Sequence, residues 1–192
     1  MYIVIEGIDG CGKDTQADRI CAALGKSTLR LNEPDDTLPT GKLLRDCLRS
    51  GAYPEAHAAM FLADRMALQA TKVKPALDAG KHVVCSRSFL STLVYQQDQW
   101  PLGWLMDIHQ QMICKPTHLI VLDLDVDQAL ARAEKRSGHM EVYEKKDTLL
   151  RNRQRYLNLV PRLGPFVSGS AGVVDGRGTP AQVEAHILEW LK

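Results

Sequence analysis

The chain has 192 residues, 45% hydrophobic and 24% charged, with a formal net charge of +1. That length suits one domain, residues 1–192, with a substantial core, and the near-neutral balance excludes a long-range pull toward nucleic acid or an anionic membrane. Five cysteines (11, 21, 47, 85, 114) form no C-x-x-C pair, which predicts free thiols in a reducing, cytoplasmic setting. The six histidines are scattered, so no zinc site is expected. A strand-like run directly after Met1 predicts no signal peptide, and the apolar runs are too short to cross a bilayer.

In chain order, strands are predicted at Tyr2–Glu6, Ser27–Leu31, His82–Cys85, His118–Asp123 and Gly172–Asp175. Helical patterns fall near 14–25, 41–50, 54–79, 89–97, 101–114, 126–136, 144–160 and 179–191. Apolar strands alternating with helices predict an α/β fold whose five-stranded parallel sheet is flanked by helices, in three layers. Pro54 suits a helix start, whereas Pro75 should kink or end the long third helix. The polar stretch from Ser137 to Glu141 reads as a mobile surface loop.

The stretch "IEGIDGCGKDTQ" carries a phosphate cradle, G-x-x-x-x-G-K, between a strand and a helix. Gly7, Gly10 and Gly12 let the backbone curl so that the N–H groups around Asp9 and Cys11 point at phosphate oxygens. The helix N-terminus adds positive potential, and Lys13 can reach the β- and γ-phosphates. The next residue of the motif should be a hydroxyl, but it is Asp14. Asp14 either contacts magnesium, directly or through water, or turns outward as a first-turn helix acid. Thr15 still offers a hydroxyl, so both are candidate Mg2+ ligands.

Downstream, Phe61 and Arg65 lie four apart in "MFLADRMALQ" and share a helix face. An aromatic ring and a guanidinium fork so arranged can stack on a base and bond its edge. Arg87 follows the third strand, beyond whose carboxyl end open parallel sheets bind ligands. Thr92, Tyr95 and Gln96 follow on the next helix.

These stretches together resemble the thymidylate kinase family from Met1 to about residue 191. Besides the cradle, "NEPDDT", Phe61-x-x-x-Arg65, the run from Ser86 through Tyr95 and Gln96, "LDLDVDQALAR", "GHMEVYEK" and "VVDGRGTP" are similar to the family's ordered motifs. The resemblance implies a P-loop kinase fold with a short lid near 136–144, ATP and Mg2+, and transfer of the γ-phosphoryl of ATP to dTMP. It also implies a homodimer; the lack of a basic block argues against a nucleic-acid partner, and the short apolar runs against a membrane one. Phe61 would stack on thymine and Arg65 bond its edge, with Thr92 and Gln96 completing the pocket and Tyr95 limiting room near the sugar. Glu33 and Pro34 would line the acceptor site, Arg45 and Arg87 would hold its 5′-phosphate, and Asp9 would lie near the sugar hydroxyl and reacting phosphates. Lys13, Arg87, Asp9 and a lid arginine would act on the migrating group. Arg136 is the chosen lid cation, ahead of Lys135 and Arg132.

Four departures surround the acceptor. Asn32 replaces the family's Arg, Asp35-Asp36 its Gly-Gly, Ser86 its Asp, and Ser88 its Tyr or His. An extra residue sits between Thr37 and Gly41. Because Asp35 and Asp36 lack glycine's freedom at φ > 0, that loop is expected to take another path. The alternatives are a 5-substituted pyrimidine nucleotide such as 5-hydroxymethyl-dUMP or a modified base in DNA as acceptor, or a relative impaired in catalysis.

Overall fold

A computed structural model describes residues 1–137 and 146–192; of residues 135–137 only the backbone is described. Five strands, β1 (Tyr2–Glu6), β2 (Thr28–Asn32), β3 (His82–Ser86), β4 (His118–Asp123) and β5 (Ser170–Asp175), form a parallel sheet in the order β2-β3-β1-β4-β5. Its three central strands are the apolar β-branched runs of the sequence. Ile3, Val4 and Ile5 pair with Val84, Cys85 and Ser86 on one side and with His118, Leu119 and Ile120 on the other. All three isoleucine and valine side chains of that run are fully buried, as expected for a parallel strand with helices on both faces.

The helices are α1 (Lys13–Leu24), α2 (Pro39–Ser50), α3 (His57–Leu68), α4 (Lys74–Asp78), α5 (Phe89–Tyr95), α6 (Leu102–Met112), α7 (Val126–Ser137), α8 (Lys146–Leu159) and α9 (Pro180–Trp190). The single helix expected over 54–79 is divided. A 3-10 turn at Pro54–Ala56 leads into α3, and a π-helical turn at Gln69–Val73 separates α3 from α4. Pro75 falls in the first turn of α4, so the π turn absorbs the backbone change that proline imposes. At the far end, Thr179 and Gln182 form a reciprocal capping box ahead of α9, with Pro180 at its start. Gln16 donates to Pro180 O at 3.0 Å and Arg19 pairs with Glu184, which ties α9 to α1.

This topology locates the site. β1 lies between β3 and β4, so the loops leaving the three strands at their carboxyl ends open a crevice where the strand order reverses. The loop leaving β1 is the glycine-rich cradle. The loop leaving β3 carries Arg87.

Candidate active site

Gly7, Gly10 and Gly12 adopt φ of 140°, 81° and 95°, the last directly capping α1. A Cβ on Gly10 would lie 2.1 Å from Ala129 O, so α7 packs against the cradle at a distance only glycine permits. Cys11 is buried under the loop, and its N–H closes a turn onto Ile8 O at 3.2 Å. Lys13 is buried, with Nζ 3.3 Å from Ile8 O and 3.1 Å from Asp9 Oδ1.

Asp9 joins the cradle to the crevice. Its carboxylate accepts from Lys13, Arg87 and the Tyr95 hydroxyl, the last at 3.3 Å. Burial alone would raise this carboxyl, but Arg87 and Lys13 override it and hold Asp9 well below the usual carboxylate range. Arg87 takes φ 68°, the left-handed region that costs a side-chain-bearing residue about 1 kcal/mol or more. Its guanidinium lies 5.5 Å from the Tyr95 ring centroid and donates to Ser91 Oγ at 3.3 Å. Burial pushes the Tyr95 hydroxyl up, so it remains a donor at neutral pH. The missing carboxylate at Ser86 therefore leaves Arg87 oriented by Asp9.

A cavity of about 500 Å³ runs from Asp9 and Arg87 to Phe61 and Arg65, and Glu33, Pro34, Arg45, Thr92, Tyr95 and Gln96 also line it. All ten acceptor-site candidates thus border one space. Arg65 is 1% exposed. Its Nε donates to Glu33 Oε2 at 2.7 Å, Nη1 to His109 Nε2 at 2.9 Å, and Nη2 to Thr92 Oγ1 at 3.3 Å. Burial pushes the Glu33 carboxyl up to about 7 even against this guanidinium, and Glu33 Oε1 has no hydrogen-bond partner among the described residues. Arg45 bonds Pro34 O at 3.0 Å and pairs with Asp36.

His109 was not singled out from sequence. Its Nδ1 lies 2.6 Å from Leu105 O and must donate there, so Nε2 is the acceptor for Arg65. Burial first, then the Arg65 charge, lower its pKa to about 3. A group depressed from 6.5 to about 3 contributes stability that is present above pH 6.5 and lost as pH falls toward 3. Between pH 7 and 4.5 the wild-type chain should therefore lose about 2–3 kcal/mol more unfolding free energy than His109→Gln. Urea unfolding of both proteins at the two pH values measures it.

Glu6 was also unanticipated. Fully buried, it accepts from Ser88 N at 2.7 Å, Ser91 N at 3.2 Å, Ser91 Oγ at 2.7 Å and Tyr156 Oη at 3.2 Å. It fixes the start of α5, which presents Thr92 and Tyr95 and is capped by Gln96. Arg49 borders the cavity one helical turn after Arg45, a spacing that could have marked it.

At the loop of Asp35 and Asp36 neither residue adopts positive φ, in keeping with a path that does without glycine. Glu33–Pro34 is cis, and Asp35 folds onto Thr37, accepting from its N–H at 2.9 Å and its hydroxyl at 2.7 Å. Lys72 binds the same carboxylate at 2.5 Å, and Asp64 accepts the Asp35 N–H at 3.0 Å.

Asp14 and Thr15 are exposed on the first turn of α1. Ser86 donates to Asp14 Oδ1 at 2.5 Å, and Arg30 Nη2 lies 3.7 Å from the same oxygen. Magnesium fits this donor set: one carboxylate and neighbouring hydroxyls are hard oxygen ligands beside a phosphate cradle. No cluster of three or more His, Cys, Asp or Glu suited to a metal occurs among the described residues. An ion that relies on substrate phosphates and water, rather than a protein cage, matches that arrangement. Of the lid expected near 136–144, residues 136 and 137 end α7 and the remainder, with most of the surface loop expected from Ser137 to Glu141, lies outside the described residues, as do the Arg136 and Lys135 side chains. Arg132 Nη1 is described, 3.8 Å from the Cβ position of Gly12.

The family model for thymidylate kinase matches residues 5–166. A protein of Thermococcus kodakarensis named "Probable thymidylate kinase" is 35% identical over 176 residues, covering 83% of each chain. One of the same name from Methanosarcina acetivorans is 31% identical over 200 residues, covering 97% of this chain and 93% of the relative. The thymidylate kinase structure from Candida albicans superposes with a TM-score of 0.83 at 24% identity, over 99% of this chain and 90% of that one. With a family model spanning most of its length and relatives above 30% identity, the chain belongs to the thymidylate kinase family.

Proposed function

We propose that the protein transfers the γ-phosphoryl of ATP to the 5′-phosphate of dTMP, giving dTDP and ADP. The observation that carries this reading is the single cavity joining Asp9 and Arg87, at the cradle's edge, to the Phe61–Arg65 face. In-line transfer needs little covalent help, so positioning and charge neutralisation dominate. Lys13 is the cation for the β- and γ-phosphates, and Arg87 and Arg45 serve the acceptor phosphate. Arg45 would exchange its Asp36 partner for that phosphate. Phe61 offers a ring face to the base, Arg65 donates to its edge, and Gln96 Oε1, buried without a hydrogen-bond partner among the described residues, suits a pyrimidine N3–H.

Mg2+ held by Asp14 with Thr15 nearby would neutralise charge on the ATP phosphates. Arg136 is assigned to the closing lid, with Arg132 behind it at the cradle. A homodimer and a cytoplasmic location belong to the same reading. Leu43, Met66, Trp104 and Met112, exposed on α2, α3 and α6, favour the first, and no helix among the described residues is long and apolar enough to cross a membrane.

The test is ADP release on a panel of nucleoside monophosphates including dTMP, dUMP and 5-hydroxymethyl-dUMP, with and without magnesium. The highest kcat/KM is expected for dTMP, only about fivefold above dUMP because one buried methyl contributes about 1 kcal/mol. Binding of dTMP without turnover would overturn the assignment.

A further inference from the structure

Two of the chain's departures are the same pair of groups with their positions exchanged. In P-loop enzymes the ion beside the nucleotide is held by a hydroxyl following the cradle lysine and a carboxylate from a neighbouring strand end. Here the residue after Lys13 is the carboxylate Asp14, and the end of β3 carries the hydroxyl Ser86. The fold brings these residues, 72 positions apart, to an Oγ···Oδ1 distance of 2.5 Å. We propose that Asp14 is the carboxylate ligand for the nucleotide's divalent cation, and that Ser86 is a positioning residue that fixes its orientation from β3. Each substitution then compensates the other.

Geometry and charge support the exchange. Two side-chain oxygens in hydrogen-bond contact flank one point in space, so one carboxylate and one hydroxyl are presented there whichever element supplies each. The pair keeps one negative charge. That charge moves from a fully buried strand end to the first turn of α1, where the helix N-terminus favours it. Asp14 has 57% of its side chain exposed, whereas Ser86 is 1% exposed. Ser86 engages Oδ1, and among the described residues Oδ2 accepts no hydrogen bond. Lys13, Arg87 and Arg30 are the cations that act on this carboxylate, and Arg30 is engaged chiefly by Asp18 at 2.7 Å and Asn32 at 2.6 Å.

This inference rests on the cradle binding a nucleotide but is independent of the acceptor, so it is tested with ADP alone. ADP affinity is measured by calorimetry with and without Mg2+, and Mn2+ bound in the ADP complex is counted by electron paramagnetic resonance. The proteins are wild type, D14S, S86A and the double variant D14S/S86D. In D14S the metal-dependent gain in ADP affinity should fall at least tenfold, while metal-free ADP binding is unchanged or improved. S86A should lose a smaller share, about threefold. The double variant should regain the gain to within about threefold of wild type. A D14S protein with a wild-type metal effect, or a double variant no better than D14S, overturns the proposal. Should the carboxylate buried at β3 prevent folding, D14N decides instead: unchanged Mn2+ occupancy overturns the proposal, and a tenfold loss supports it. Absence of dTMP turnover in the wild-type protein, with its metal-dependent ADP binding intact, would count against the acceptor assignment and leave this proposal standing.

Discussion

Arg87→Ala should lower kcat/KM for dTMP by on the order of a thousandfold, with most of the loss in kcat. Arg87 both pairs with Asp9 and lines the cavity, and its planar fork suits two phosphate oxygens at once. Removing it should scarcely disturb the fold. Asp9 keeps Lys13 and Tyr95 as partners, and its carboxyl rises from its depressed position without becoming stranded. Arg87→Lys should restore only part of the rate, because an ammonium supplies charge but not the fork. Arg87→Gly offers a sharper separation. The φ of 68° is strained for arginine or alanine but free for glycine. The glycine variant should match alanine in lost activity yet be more stable than alanine by about 1 kcal/mol. Steady-state kinetics and thermal melting of the three variants check both parts. An alanine variant within tenfold of wild type would remove Arg87 from the reaction.

The sheet was legible because its central strands are buried on both faces, so Ile3-Val4-Ile5 and Val83-Val84-Cys85 appear as unbroken apolar runs. The cradle was legible for a related reason, since glycine spacing and strand context are local. Phe61 and Arg65 could be paired through helix periodicity alone. What the sequence hid are interactions made only by tertiary structure. His109 reaches Arg65 across 44 positions, and Glu6 reaches Ser91 across 85. Glu6 is a lone polar residue at the end of an apolar run and His109 sits among the polar residues Asp107, Gln110 and Gln111, so neither signals anything by itself. The π turn at 69–73 likewise depends on how α3 and α4 pack rather than on a residue pattern. Asp14 and Ser86 are the clearest case. Singly each resembles a lost function, and only their contact in space makes them one unit.

Arg65→Leu should abolish measurable dTMP binding and destabilise the chain by about 3–5 kcal/mol, the usual result of stripping one partner from a buried ion pair. Arg65 and Glu33 have side chains 1% and 3% exposed, so neither can turn to water when the other is lost. The destabilisation should depend on pH with a defined sign. The Glu33 carboxyl lies near 7 with Arg65 beside it, above its ordinary value of 4.5. Without that guanidinium it can only move higher. A carboxyl raised in the folded state leaves stability intact below pH 4.5 and withdraws it as pH climbs through the folded value. Arg65→Leu should therefore unfold more readily at pH 8.5 than at pH 5.5, by a wider margin than wild type. Restoring the balance tests the cause. Replacing both partners, Arg65→Leu with Glu33→Leu, removes the stranded charge and should recover most of the lost stability, while dTMP binding stays absent because the base edge still has no donor. Urea unfolding at the two pH values and dTMP titration of the single and double variants separate these effects. Equal instability of single and double variants would mean that Arg65 stabilises the fold through Thr92 and His109 instead. Retained dTMP affinity in either would displace the base from the Phe61–Arg65 face.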